Sequence, residues 1–290
     1  MRMHKDEIEV NDEMVKKLIS GQFPQFNSLH IKRVNSIGTV NVIYRLGEEY
    51  LIRLPILSIY SDSILDEFRV LPVIAKNVTL VVPEIIGKGR PSQEYPHNWA
   101  IYRWIHGNII NDSTVSEVNI ANGLAGFINE LRSIQILGNE PKAGRKPLRE
   151  LVEITVKKIA ECENDIDGER ALKVWRELVD NPPWNGTPVW IHADLLKPNL
   201  IVNSGNLFAV IDFGSAGVGD PAFDVTPAWT VLSLRTRGLF RGLLNVDEHT
   251  WLRAKAYALH QAALIIPYYR KSNPNFVKQA CDTIENIIND

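Results

Sequence analysis

Two rhythms of apolar and polar positions run along the chain, and one gives way to the other just past Trp104. The first portion opens with "NDEMVKKLIS", where Met14, Val15, Leu18 and Ile19 share one face of a helix and Gly21 reads as its stop. Three short runs follow, "LHIKRV", "NVIYRL" and "YLIRLP", separated by "NSIGT" and "GEE", which suit hairpin turns. "SDSILDEFRVLPVIAKN" reads as a helix carrying Asp66 and Glu67, and "TLVVPEIIGKG" and "HNWAIYRWI" as two further strands.

After Gly107 the period lengthens. "TVSEVNIANGLAGFINELRSI" places apolar residues at 115, 118, 121, 124, 128 and 131, a helical stripe, with Thr114 and Glu117 fitting a capping box. "LRELVEITVKKIAECE", "GERALKVWRELVD", "TWLRAKAYALHQAALIIPYY" and "PNFVKQACDTIENIIND" are helical too. In the last, Val277, Ala280, Cys281, Ile284, Ile287 and Ile288 form the buried stripe. The pattern predicts an α+β chain. A small β-rich lobe spans residues 1–104, a larger helical lobe spans 105–290, and "YRWIHGN" joins them.

One stretch breaks the helical rhythm: "IHADLLKPNLIVNSGNLFAVIDFG", Ile191 to Gly214. Two apolar runs flank Asn203-Ser204-Gly205-Asn206, strong turn residues, so the stretch reads as a hairpin. Its acids are set among core-like residues, where an unpaired carboxylate is costly. If the strands pair about that turn, Asn199 and Asp212 lie near the same open end. They offer one neutral and one anionic oxygen, the sparse donor set that magnesium takes when substrate phosphates and water complete its shell. Asp194, five residues before Asn199, points toward the same space.

Composition adds exclusions. Of 290 residues, 45% are hydrophobic and 23% charged, as in ordinary globular proteins. The net charge of −2 lacks the basic excess of a nucleic-acid surface. Cys162 and Cys281 stand far apart, in no metal-ligand or disulfide-framework spacing. No apolar run is long enough to cross a bilayer, and "MRMHKDEIEVNDE" has no apolar segment of a secretory signal. The expectation is a cytoplasmic protein without nucleic-acid or membrane partners.

The spacing H-x-D-x-x-x-x-N followed by D-F-G resembles the catalytic loop and metal-binding segment of protein kinases. The version "HADLLKPN…IDFG…GVGDPAFD", with "GTVNVIYRLGEEYLIRLP" and "NWAIYRWIHG" upstream, is closer to the aminoglycoside phosphotransferase family, small-molecule kinases of protein-kinase-like, bilobal fold. The resemblance implies transfer of the γ-phosphoryl of ATP or GTP, with Mg2+, to a hydroxyl of a small molecule. An aminoglycoside or related antibiotic is the leading acceptor, and antibiotic resistance the attendant role. Asp194 would take or orient the hydroxyl proton, and Asn199 and Asp212 would hold magnesium. His192 would brace the loop, and Asp224, with Asp220 in support, would accept hydrogen bonds from its backbone.

In the first lobe the resemblance implies that Arg53 grips the phosphates where kinases usually have lysine, with Glu67 as its ion-pair partner. Arginine keeps the charge but changes the geometry. The turn at residues 35–40 would cover the phosphates, and backbone groups of Arg103, Trp104 and Ile105 would meet the purine. Protein kinases carry a lysine two residues after the catalytic aspartate. Here that position is Leu196 and Lys197 comes one later. Relatives that modify cationic drugs line the acceptor site with acids from C-terminal helices, for which Asp247, Glu248, Asp282 and Glu285 are candidates. The apolar and aromatic "WTVLSLRTRGLFRG" and "ALIIPYYRKSNP" suit a macrolide instead. A metabolic small-molecule kinase and, in another class, a nucleotide-binding pseudokinase are the alternatives.

Overall fold

In the computed structural model the described residues are 6–34, 40–110 and 115–290. Residues 35–39 of the turn expected over the phosphates (35–40) and Thr114 of the expected capping box lie outside them. The chain divides into two compact units. The first holds residues 1–76, 81–107 and 211–214, and the second holds 77–80, 108–210 and 215–290. The division therefore is not a single cut, because "IDFG" belongs with the sheet of the first unit.

The first unit starts with helix α1 (Asp12–Gln22), capped by Asn11, whose side chain accepts from Met14 N at 2.9 Å. The helix runs through Gly21 and ends at Gln22, with Phe23 as its C-cap. Strands β1 (Ile31–Val34), β2 (Asn41–Leu46) and β3 (Tyr50–Pro55) follow, then helix α2 (Ser61–Ile74) and strands β4 (Ile85–Gly89) and β5 (Trp99–Arg103). They form one antiparallel sheet in the order β1-β2-β3-β5-β4. The alternation read in the sequence is the pleat: Val42, Tyr44, Leu46, Ile52 and Leu54 face one core with Val15, Leu18 and Ile19 of α1. Period two then sends Arg53 to the opposite face, where Leu51 pairs with Tyr102 and Arg53 with Ala100. Of "TLVVPEIIGKG" the strand takes in Ile85–Gly89, and Val81 forms an isolated bridge.

The second unit contains strand β6 (Asn108–Ile109), helices α3 (Glu117–Ser133), α4 (Val152–Ala160) and α5 (Gly168–Val179), and strands β7 (Val189–Ile191), β8 (Leu200–Asn203), β9 (Asn206–Val210) and β10 (Gly217–Gly219). Helices α6 (Pro227–Thr230), α7 (Leu234–Leu244), α8 (Glu248–Tyr269) and α9 (Pro274–Ile288) complete it. The N-cap of α3 is Ser116, and Glu117 instead binds the backbone N–H and hydroxyl of Ser233. Helix α8 is buried on most faces, and α4, α5 and α9 pack on it. In α9 the fully buried residues are Ala280, Thr283, Ile284 and Ile287, with Val277, Cys281 and Ile288 half-buried at the margins.

The hairpin β8–β9 turns at Ser204 (φ 49°) and Gly205 (φ 79°), two left-handed residues in succession that match the twist of paired strands. Leu200 pairs with Val210, so Asn199 enters the hairpin where the chain leaves it toward Asp212. Among the described residues no helix is long and apolar enough to cross a membrane.

Candidate active site

In the first unit, Arg53 sits between two carboxylates. Its Nη1 donates to Glu67 Oε1 at 2.7 Å and its Nη2 to Asp212 Oδ1 at 2.9 Å. Asn41, with its amide oxygen turned inward, accepts from Nε and Nη2 at 3.1 and 3.2 Å. Glu67 lies in the buried stripe of α2 with Ile64, Leu71 and Ile74 and is 1% exposed. Burial pushes its pKa up, and the Arg53 charge pulls it back down. Burial alone would lower the Arg53 pKa, but the Asp212 and Glu67 charges outweigh it and raise the value. The Tyr102 hydroxyl donates to Glu67 Oε2, so both carboxylate oxygens are engaged. Asp212 has φ 65°, a left-handed conformation that aspartate tolerates better than most residues.

The three hinge residues are unequal. Arg103 N donates to Glu84 O at 2.9 Å and Trp104 N to Glu49 O at 2.7 Å. Among the described residues, Ile105 N makes no such backbone bond. The Arg45 guanidinium covers the Trp104 ring at 3.9 Å.

In the second unit, Asp194 is oriented from two sides. Gln261 Nε2 of α8 donates to its Oδ1 at 2.9 Å, and Asn199 Nδ2 donates to its Oδ2 at 3.0 Å and to its backbone oxygen at 2.9 Å. With that nitrogen turned to Asp194, the amide oxygen is the atom Asn199 has for a cation. His192 is fully buried and its Nδ1 accepts from Asp194 N at 3.2 Å. Asp224, also fully buried, accepts from His192 N at 2.7 Å and Ala193 N at 2.8 Å. Ala193 has φ 65°. A non-glycine residue persists in that region only where its surroundings over-determine it, and here the carboxylate grips both flanking N–H groups. Burial raises the Asp224 pKa to about 6, against the pull of those N–H groups and of Arg132.

Asp220 accepts from Arg253 Nε and Nη2 at 2.8 and 3.1 Å and from Ala222 N at 2.9 Å. Leu195 and Leu196 are buried, so position 196 faces the core. Lys197 is half-buried at the start of the short 3-10 turn 197–199 that ends on Asn199.

The model of the phosphotransferase enzyme family matches residues 32–259, and so takes in every one of these groups except Gln261. The chain belongs to that family. Comparison with curated protein sequences gave no match. Among solved structures, the GDP and kanamycin complex of APH(2")-IIia is similar at 18% identity and TM-score 0.71, covering 94% of this chain and 97% of that one. A macrolide 2'-phosphotransferase type I is similar at 15% identity and TM-score 0.63, with 96% and 98% covered. Macrolide 2'-phosphotransferase MphH from Brachybacterium faecium is similar at 16% and 0.61, with 95% and 98% covered. At such identities the likeness is one of fold: an antiparallel sheet followed by a mainly helical region, as in kinase-like phosphotransferases.

The four acids expected in a cationic acceptor site are committed elsewhere in this family member. Asp247 caps α8, accepting from Thr250 N at 2.9 Å and Thr250 Oγ1 at 2.6 Å. Glu248 pairs with Arg241 at 2.5 Å and Asp282 with Lys278 at 2.7 Å, both at exposed positions. Glu285 accepts from Asn289 Nδ2 at 3.3 Å. Three residues of the site escape a sequence reading: Tyr102, Asn41 and Gln261. Gln261 and Tyr102 sit in apolar runs and Asn41 at a turn exit, so composition hides all three. Glu67 has a legible signal, an acid at a core position of an amphipathic helix.

Proposed function

We propose that this phosphotransferase moves the γ-phosphoryl group of ATP or GTP to a hydroxyl of a small molecule. The hydroxyl oxygen attacks the γ-phosphorus, the bond from that phosphorus to the β,γ-bridging oxygen breaks, and the nucleoside diphosphate leaves. The hydroxyl proton passes to the Asp194 carboxylate. The observation that carries this reading is the double support of Asp194 by Gln261 and Asn199, on a loop whose backbone hangs from buried Asp224. Such a carboxylate is positioned in advance, and phosphoryl transfer asks mainly for positioning and charge neutralisation.

From the H-x-D-x-x-x-x-N and D-F-G spacing we infer that Asp212 and Asn199 would offer magnesium one carboxylate and one amide oxygen, hard donors of the number that fits it when phosphates complete its shell. Magnesium held there would neutralise charge on the phosphates. Arg53, already braced by Glu67, would turn from Asp212 to the nucleotide phosphates. A nucleoside-binding protein without activity would have no use for the Gln261 bond to Asp194, which disfavours the pseudokinase. The committed acids of α8 and α9 weaken the case for an aminoglycoside acceptor.

Asp194→Asn keeps the size but removes the proton acceptor and one of the two accepting oxygens. Turnover should fall about 10²–10⁴-fold, the usual worth of a general base, while nucleotide affinity holds. The slow nucleotide hydrolysis measured without acceptor should fall with it. Turnover near that of the wild type would overturn the role.

A further inference from the structure

The second unit contains a cavity of about 220 Å³ whose wall includes Arg145, Arg149, Trp184, Phe223, Arg253 and Tyr257. Phe223 and Tyr257 stack with ring centroids 4.1 Å apart and form one apolar side. Arg253 is spent on Asp220, which also lines the cavity. Three arginines thus face a single carboxylate. None of Asp247, Glu248, Asp282 or Glu285 is part of the wall.

Helix α8 runs from the cavity wall to a hydrogen-bond partner of Asp194. Arg253, Tyr257 and Gln261 are spaced four residues apart on α8, so they lie along one face, each about 6 Å further along the axis. The first two line the cavity, and the third donates to Asp194. The charges of Arg145 and Asp194 also act on one another: burial lowers the Arg145 pKa, and Asp194 pulls it back up. Burial and the Arg145 charge lower the His260 pKa to about 4, so this histidine, which is not part of the wall, adds no further cation.

Arg145 differs from the other arginines of the cavity. Arg253 is paired with Asp220, and Arg149 reaches Asp180 at 3.9 Å. Among the described residues no carboxylate or carbonyl takes a hydrogen bond or ion pair from Arg145. The backbone leading to it is braced. Val218 N donates to Pro141 O and Ala143 N to Val218 O, both at 2.9 Å, so the preceding loop is laced to β10. Gly144 has φ +93°, and a Cβ there would come within 2.6 Å of the Phe223 ring. A glycine with this fit brings the backbone hard against the cavity wall one residue before the arginine. Arg145 is exposed, and its guanidinium stands with spare donors at the wall beside an apolar ring pair, an arrangement suited to an oxyanion on a small organic molecule.

We propose that Arg145 is the anion-binding residue of the acceptor site, and that the molecule phosphorylated is a hydroxyl compound bearing a carboxylate or a phosphate. This rests on the phosphotransfer reading above. The anion would sit on Arg145, the carbon skeleton against Phe223 and Tyr257, and the hydroxyl toward Asp194. The bonds made and broken are those already described, with the acceptor's anionic group unchanged.

The test uses the full chain and acceptors matched in skeleton: hydroxy acids and sugar acids (glycerate, gluconate), phosphomonoesters (glycerol 3-phosphate, glucose 6-phosphate), the uncharged amides and polyols, and the amino alcohols. Binding is read by calorimetry with no nucleotide present, and turnover by nucleoside diphosphate release. One anionic arm should bind and turn over about ten- to hundredfold better than its neutral and cationic counterparts, the range expected for a charged hydrogen-bonded contact. Which arm does so separates carboxylate from phosphate. Arg145→Gln should erase the ratio, and Arg145→Lys should keep part of it. A preference for amino alcohols or neutral polyols, no anionic member bound, or a ratio unchanged in Arg145→Gln would overturn the proposal. Anion binding that is lost in Arg145→Gln, with no turnover and no nucleotide hydrolysis in the wild type, would instead overturn phosphotransfer and leave the anion site standing.

Discussion

Arg53 answers two carboxylates with two different nitrogens, a task for a guanidinium fork that a lysine ammonium cannot match in geometry. The strand, its alternation and the candidacy of Glu67 were all legible, because period two and an acid on a helix are local features. The Tyr102 hydroxyl on Glu67 was not, because the two residues are 35 apart in sequence and meet only once β5 has paired. Asp224 is the residue with a distinctive dependence on pH. Its carboxyl, pushed up by burial, keeps a proton to about 6 when folded, against an ordinary value of 3.8 in the unfolded chain. The native state therefore binds more protons between these values, and the stability owed to Asp224 falls as pH rises through that window. The difference of about two units corresponds to about 3 kcal/mol. Denaturant titrations from pH 3.5 to 7 should show this fall in the wild type and a flatter profile in Asp224→Asn. Parallel profiles would remove Asp224 as the cause.

At the scale of elements, the β8–β9 hairpin was readable because its turn is written in Asn, Ser and Gly and its strands are continuous apolar runs. Strands β6, β7 and β10 were not readable. They are two or three residues long and exist only through distant partners, as β7 does through Gly217–Gly219. Helix α7 went unread because its "LRTRGLFRGLL" mixes arginine and glycine into a weak stripe. The turn itself is open to test. Gly205 stands at φ 79°, where a β-branched side chain meets its own backbone. Gly205→Val should cost about 1–2 kcal/mol. At about 2–4 °C per kcal/mol that lowers Tm by roughly 2–8 °C in a calorimetric scan. Because Asp212 follows at the hairpin's exit, the nucleotide KM should rise as well. An unchanged Tm would mean that the turn adopts another form.

For the molecule as a whole, the α+β class was legible from the change of hydrophobic period. The return of residues 211–214 to the first unit was not, because "IDFG" is continuous in sequence with a strand of the second. Ligand linkage gives the test at this scale. Magnesium with ATP or GTP at a hundred times its Kd should stabilise the chain by about 2.7 kcal/mol and lift Tm by about 5 °C or more. Asp212→Asn should lose the magnesium-dependent part of that rise, and a Tm blind to both nucleotides would contradict nucleotide binding. The Asp224 anchor also bears on how such molecules diverge. It takes hold of residues 192 and 193 through backbone N–H groups, which every amino acid except proline possesses. The loop's bearing is therefore inherited through position 224, while position 193 is at liberty to drift among residues that accept a left-handed backbone. Lineages should diverge at 193 long before they lose the acid that holds it.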